Sequence, residues 1–305
     1  MNGTLLTTLL GALASAAAAL LLAPLFEGLL RKLKAFLHSR QGPPILQPYL
    51  DVAKLLGKED LRTASGVGYA ALPALALSSV LVLALYVPWG PDPALGFGGD
   101  VIAVLYVAAA SAVMLMLTAF ASGSPYASVG GSREMMMLLS VEPVLAVALI
   151  TAAVKAGSLH VASIRDWQLE NGPSISLAIA GIAFFLALQA QAGKLPFDVP
   201  EADQEIMGGP LIEQSGPRLA LLRWAIWSKQ LVLAVLLVEL FLPWPRIELP
   251  LLAVPVVLVK AFLVLLAVGL IDVVNPRLRI DQAMGYFLRV AVSSLAGLAF
   301  AVIGM

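Results

Sequence analysis

The chain has 305 residues, 60% of them hydrophobic and only 12% charged, with no cysteine, two histidines and a formal net charge of zero. A soluble domain carries roughly 25% charged residues, so the composition excludes an ordinary globular protein, and the neutral balance gives no general pull toward nucleic acid. Without cysteine there is no disulfide, no thiolate chemistry and no cysteine-ligated iron–sulfur cluster. His38 and His160 lie far apart and form no metal-ligand pair, and neither a phosphate-binding glycine loop with its lysine nor a serine–histidine triad is found.

Apolar residues arrive in blocks of about 20, the length that crosses the hydrocarbon core as a helix. Backbone groups in lipid must be satisfied within each segment. The expected fold is therefore all-α: a polytopic membrane protein, with residues 1–305 forming a single transmembrane domain. Eight spans are predicted: Leu5 to Leu30, Tyr69 to Pro88, Val101 to Ala121, Met135 to Ala156, Ser174 to Ala192, Leu222 to Leu242, Leu251 to Ile271 and Gly285 to Ile303. The first lacks a basic leader and a cleavage site and reads as a retained helix. No internal repeat and no separate soluble domain are seen.

Basic residues set the orientation. One side receives Arg31, Lys32, Lys34, Arg40, Lys54, Lys58, Arg62, Arg133, Lys194, Arg218, Arg223, Arg277 and Arg279, and the other only Lys155, Arg165 and Arg246. The basic side is expected to be cytoplasmic in a cell membrane, with both termini outside.

The first long connection, residues 31–68, contains HSRQGPPILQPYLDVAKLLGKED. Gly42, Pro43 and Pro44 break the chain. Leu46, Tyr49, Leu50, Ala53 and Leu56 then fall on one helical face, and Gln47, Asp51, Lys54 and Lys58 on the other. The pattern predicts an amphipathic surface helix, read either as an interfacial anchor or as a docking platform for a soluble subunit. Next comes SGSPYASVGGSREMMM at 122–137, a tight turn in which Arg133 obeys the charge bias and Glu134 follows it.

Ionisable residues inside spans are costly, about 2.5–3.5 kcal/mol each on insertion scales, and they usually face protein or water. Glu142 lies in the fourth span, Lys229 and Glu239 in the sixth, Lys260 in the seventh and Arg289 in the eighth. Lys260 is too far from either end of its span to snorkel comfortably, so it and Glu142 are read as parts of an ion path. Glu239 and Arg289, each about a turn from a boundary, are read as snorkelling.

The acidic connection, residues 193–221, opens with GKLPFDVPEADQEIMGGPLIEQSG and gathers Asp198, Glu201, Asp203, Glu205 and Glu213. Asp198 and Glu201 have capping-box spacing, with Pro200 near the predicted helix start. Glu201 and Glu205 would then share a face. Helix-end electrostatics accounts for part of this acidity. It leaves Glu213 and Glu205 open to a second reading, as members of a carboxylate cluster that takes up and releases protons. The last cytoplasmic stretch, NPRLRIDQAMG at 275–285, alternates Arg277, Arg279 and Asp281, with Asp281 expected as a helix N-cap.

Taken together, GPPILQPYLDVAKLLGKED, the acidic connection and RLRIDQ are similar to the membrane subunit of respiratory complex I that helps form its quinone chamber. The same family includes the corresponding subunits of formate hydrogenlyase and energy-converting nickel–iron hydrogenases. The short turn before the amphipathic helix, GSPYASVGGSRE and SKQLV resemble the hydrogenase branch. RLRIDQ keeps the Asp-Gln of the complex I form, Asp203 replaces a glutamate, and Gln214 stands where the family has tyrosine.

The resemblance implies an oxidoreductase-complex subunit with no redox centre of its own. It would dock a cytoplasmic arm through Arg40, Gly42, Pro43, Gln47, Asp51, Lys54, Arg133, Asp198, Arg277, Arg279 and Asp281. Glu142, Glu201, Asp203, Glu205, Glu213 and Lys260 would couple redox turnover to proton or sodium movement. The implied partners are nickel–iron hydrogenase-like large and small subunits, a ferredoxin-like iron–sulfur subunit and antiporter-like membrane subunits. The iron–sulfur clusters and nickel–iron site would lie in those partners. A quinone-binding complex and a stand-alone ion transporter are the competing readings.

Overall fold

The computed structural model describes residues 2–61, 67–245 and 250–304, and the side chain of Asp203 is not among what it describes. Arg62 and Arg246, counted in the charge bias, fall outside the described residues. The described elements are helices: α1 (Asn2–Leu37), α2 (Gln47–Leu56), α3 (Val67–Tyr86), α4 (Asp100–Ala121), α5 (Pro125–Ala156), α6 (Val161–Asn171), α7 (Ile175–Gln191), α8 (Asp203–Ile206), α9 (Gly216–Phe241), α10 (Pro250–Val274) and α11 (Ile280–Ile303). Seven are long and apolar enough to cross a membrane, and α7 is a shorter apolar helix. These eight correspond to the predicted spans.

Helix α9 is the axis of the bundle, packed against α1, α3, α7 and α10. Of its most apolar stretch 78% is buried inside the protein, against 22% for α10. Since lipid tails are as apolar as leucine, close packing holds such a bundle together. Small residues provide it: Ala108 and Ala112 on α4, Ala148 and Ala152 on α5, and Ala180 and Ala183 on α7 are all buried.

Several boundaries differ from expectation. α1 continues past Leu30 to Leu37, so part of the predicted first connection is helix. α5 starts at Pro125 rather than Met135, because Ser124 is extended and Pro125 is pre-set for a first helical turn. The connection after α5 holds α6, which mean hydropathy does not flag; it is anchored by buried Val161, Ile164 and Gln168. α2 forms where predicted, but its leucine face points away from the bundle. Leu46, Leu50 and Leu56 are 60%, 59% and 46% exposed, while Pro48 and Val52 are buried.

Three irregular segments and the surface helix α2 meet at one end of the bundle. Leu278 N–H, between α10 and α11, donates to Pro196 O in the acidic connection at 3.0 Å. Ser215 Oγ donates to Leu61 O at 3.2 Å, and Tyr49 Oη of α2 donates to Leu21 O of α1. Running away from this end, the first turn of α1 and the last turn of α11 both lie at the other.

Candidate functional site

The acidic connection is seated by glycine and aromatic contacts. Gly130 of α5 is so close to it that a Cβ there would lie 2.6 Å from Gly209 Cα and 2.7 Å from Pro210 Cδ. Gly209 itself has φ +50 and meets the carbonyl of Pro200. Two backbones thus touch without an intervening side chain, which only glycine permits. Phe197, 2% exposed, packs with ring centroids 4.7 Å from Phe287 and 5.4 Å from Tyr286 of α11.

Each acid then finds a distinct place. Asp198 Oδ2 accepts from Arg277 Nη2 at 2.8 Å, and Glu205 Oε2 from Arg133 Nη1 at 2.6 Å. The hydrogen bond and charge of Arg133 hold the Glu205 carboxyl below its usual range. Residues 198–201 are not helical, α8 has four residues only, and Ala202 precedes it with no side-chain cap. The expected capping box is therefore absent: Asp198 is engaged by Arg277 instead, and Glu201 and Glu205 do not share a helical face. Glu201 lines the cavities described below. Glu213 is half-buried, and its carbonyl accepts from Tyr69 Oη at 3.4 Å. Asp203 begins α8, and its side chain lies outside the described residues.

Of the predicted docking residues, Arg40, Pro43, Lys54, Arg279 and Asp281 are exposed, and Gly42 is half-buried. Gln47 Nε2 donates to Asp51 Oδ1 at 2.9 Å, and Arg31 Nη1 meets Asp51 Oδ2 at 3.1 Å. Asp281 is not the cap of α11. Arg279 occupies that position, and its N–H donates to Gln282 Oε1 at 3.2 Å.

Sequence reasoning missed the group at the centre of this end. Lys194 Nζ reaches both carboxylate oxygens of Glu27 at 3.1 and 3.2 Å. Burial would lower the Lys194 pKa, but Glu27, then Asp272 and Glu201, outweigh it and raise it. Arg31 bridges Glu27 and Asp51, and its guanidinium lies 5.3 Å from the Trp227 ring centre. Asp272 holds Lys34 at 2.8 Å and the Leu195 N–H at 2.9 Å. Around these charges lies a cavity of about 450 Å³, lined by Glu27, Arg31, Lys194, Glu201, Gln214, Arg223 and Trp227 among others. The available signal was Glu27 and Asp272, carboxylates within apolar runs.

Two smaller voids lead inward. One of about 50 Å³ is lined by Asp198, Glu201, Glu134 and Gln191. The next, about 40 Å³, shares Glu134 and Gln191 and reaches Ser111 and Lys229. Each has room for a water molecule beside the polar side chains named. Lys229 Nζ, on α9, donates to Gln191 Oε1, whose Nε2 donates to Glu142 Oε1 at 2.9 Å. Titratable groups, an amide and two voids thus follow one another from Glu201 toward Glu142. Lys260 is not on it. Its Nζ donates to Leu242 O and Pro243 O at 3.0 and 3.1 Å, at the far end of α9. There Glu239 is 3% exposed and faces Arg165 across 4.0 Å, so it does not snorkel. Among the described residues no three His, Asp or Glu side chains converge as a metal site.

The family described as NADH dehydrogenase matches residues 10–303. Hydrogenase-4 component C of Escherichia coli is 40% identical over 245 residues, spanning 78% of this chain and 76% of that protein. Formate hydrogenlyase subunit 4 of the same organism is 37% identical over 85% of this chain and 87% of its own length. NADH-quinone oxidoreductase subunit 8 of Thermus thermophilus is 33% identical over 72% of this chain and 66% of its own. Among solved structures, a chain of the membrane-bound sulfane sulfur reductase, an archaeal respiratory membrane complex, superposes with a TM-score of 0.88 at 31% identity, covering 97% of this chain and 99% of that one. With the acidic connection, the inward path and the helical bundle all in hand, the chain belongs to the NADH dehydrogenase membrane-subunit family that includes hydrogenase-4 component C and formate hydrogenlyase subunit 4.

Proposed function

We propose that this chain is the membrane anchor and coupling subunit of an energy-converting hydrogenase or formate hydrogenlyase-type complex. The observation that carries the reading is the joined path from the acidic connection through Glu201, Glu134 and Gln191 to Lys229 and Glu142. The end bearing α2, the acidic connection and Arg277–Asp281 faces the cytoplasm, as the lysine and arginine bias indicates. There Arg40, Gly42, Pro43, Lys54, Arg279 and Asp281, with the outward leucine face of α2, receive a soluble arm. That arm supplies hydrogenase-like large and small subunits and a ferredoxin-like subunit, which hold the iron–sulfur and nickel–iron centres. Antiporter-like subunits flank the bundle and move protons or sodium.

This chain's own part is proton handling. A change in field at the arm alters proton occupancy around Glu201, Glu205, Glu213 and Asp203. Glu134, Gln191, Lys229 and Glu142 carry that change into the membrane. Charge movement there is energetically significant, at about 2.3 kcal/mol per charge per 100 mV.

The 450 Å³ cavity favours a second reading, a quinone-linked complex, because it has room for a ligand head group. Its charged lining, with Gln214 in place of tyrosine, weighs for the hydrogenase branch. Mild-detergent purification of the tagged chain, followed by mass spectrometry and metal analysis, tests both. Nickel and iron with antiporter-like subunits are expected. Iron with bound quinone and no nickel would select the second reading. A lone, ion-active protein would overturn both in favour of a transporter.

A further inference from the structure

The end of the bundle opposite the acidic connection holds a second group of charges. Its cavity, about 320 Å³, is bordered by Glu239 of α9, Arg165 and Asp166 of α6, Lys260 of α10 and Gly90 of the α3–α4 connection. Arg165 donates to Gly90 O at 3.2 Å and meets Asp92 at 2.7 Å and Asp166 at 3.0 Å. Burial would lower the Arg165 pKa, but Asp92, Asp166 and Glu239 outweigh it, so the guanidinium stays charged. Lys260 is tied to the carbonyls of Leu242 and Pro243. Gly90 and Glu239 both border this cavity. Gly90 has φ +97, and a Cβ there would lie 3.0 Å from Ala253 and Val254, so glycine lets the connection reach this cavity.

The chemistry narrows what this site takes. Two fixed cations, Arg165 and Lys260, stand against a hard metal cation at Glu239, which would need several oxygen ligands free of positive neighbours. Three carboxylates, Asp92, Asp166 and Glu239, stand against an anion. A proton needs neither kind of coordination.

The group is also insulated. Glu239 lies ten residues beyond Lys229 on α9, about 15 Å along the axis. Between them Leu231 to Val238 are all apolar and at most 4% exposed.

We propose that Glu239 is a proton-exchange site served from the aqueous phase opposite the acidic connection, closed off by this apolar layer from the Lys229 path. Hydronium in the cavity gives its proton to the Glu239 carboxylate, leaving water and a neutral carboxyl; release runs the other way. The site does not depend on which redox partners the chain serves.

Since the chain has no cysteine, Glu239→Cys places a single thiol in this subunit. In sealed right-side-out and inverted membrane vesicles containing the whole complex, a membrane-impermeant thiol reagent is expected to label Glu239→Cys from one side. That side is opposite the one labelling Asn275→Cys, and Val235→Cys should react from neither. No labelling of Glu239→Cys, or labelling from the Asn275 side, would overturn the proposal. On the purified complex, pH-difference infrared spectroscopy should show a carboxyl band that titrates, shifts in D₂O and is lost in Glu239→Gln. Identical spectra for parent and variant would equally overturn it. Should Glu239→Gln fail to assemble, Glu239→Asp must move the titration midpoint, and an unmoved midpoint counts against the site.

Discussion

Helix α9 carries two buried ionisable groups, and their surroundings differ in kind. Lys229 faces inward onto Gln191 and is reached from the acidic connection through water-sized voids. Glu239 faces a cavity at the opposite end, beside Arg165 and Lys260. The first is joined by side chains to the end bearing the acidic connection, and the second is separated from it by eight buried apolar residues, Leu231 to Val238. One helix thus carries two separate polar groups, one toward each end of the bundle. Sequence position alone, ten residues apart in one span, does not tell which group belongs to which.

The sharpest way to break this contrast is Lys229→Met. Removing the amine that joins the inward path at Gln191 is expected to lower coupled ion movement about a hundredfold, the low end for losing a positioned proton-transfer group. Electron transfer measured with an artificial acceptor should persist. Lys260→Met should have a smaller effect on ion movement, again with electron transfer retained. Equal loss of both activities in either variant would assign the lysine a structural role. Gly130→Ala tests whether the acidic connection must rest directly on α5. A methyl group 2.6 Å from Gly209 Cα forces overpacking, expected to cost about 1–3 kcal/mol and to lower the thermal midpoint of the complex.

The smallest effect is expected from Glu205→Gln, which leaves assembly intact and weakens coupled turnover by about twofold, since exposed ion pairs contribute little. Its pH signature is more telling. The Glu205 pKa is lowered in the folded state, so the Arg133 pairing is fully present above the ordinary value of 4.5. It is lost as pH falls below that value through the folded-state pKa. The protection factor of the acidic connection, which corrects hydrogen exchange for its intrinsic slowing in acid, should therefore fall on acidification in the parent. Glu205→Gln should show no such step.

The helical class, the eight apolar segments and the α2 surface helix were legible because each rests on a local pattern: block length, period or a proline break. The contribution of the acidic connection was legible as composition, but its geometry was not. Asp198 and Glu201 have the spacing of a capping box, yet Arg277, far along the chain, takes Asp198. Gln191 gave no signal because it is uncharged and ends a span, and its role appears only when α7 brings it between Lys229 and Glu142. Lys194 was counted only for orientation, although its partner Glu27 lies 167 positions away. Glu239 was read as a boundary residue because α6, which supplies Arg165, has no hydropathy signature. The missed features are long-range pairings of polar groups, which no sequence period encodes.

The bare backbone contact between Gly130 and Gly209 also limits how this protein can be rebuilt. Because α5 and the acidic connection meet without side chains, neither surface can adjust to a foreign partner by choosing another rotamer. A chimera that grafts a relative's acidic connection into this chain would have to carry the first turns of α5 with it, so the two segments form one heritable module despite being separated in sequence.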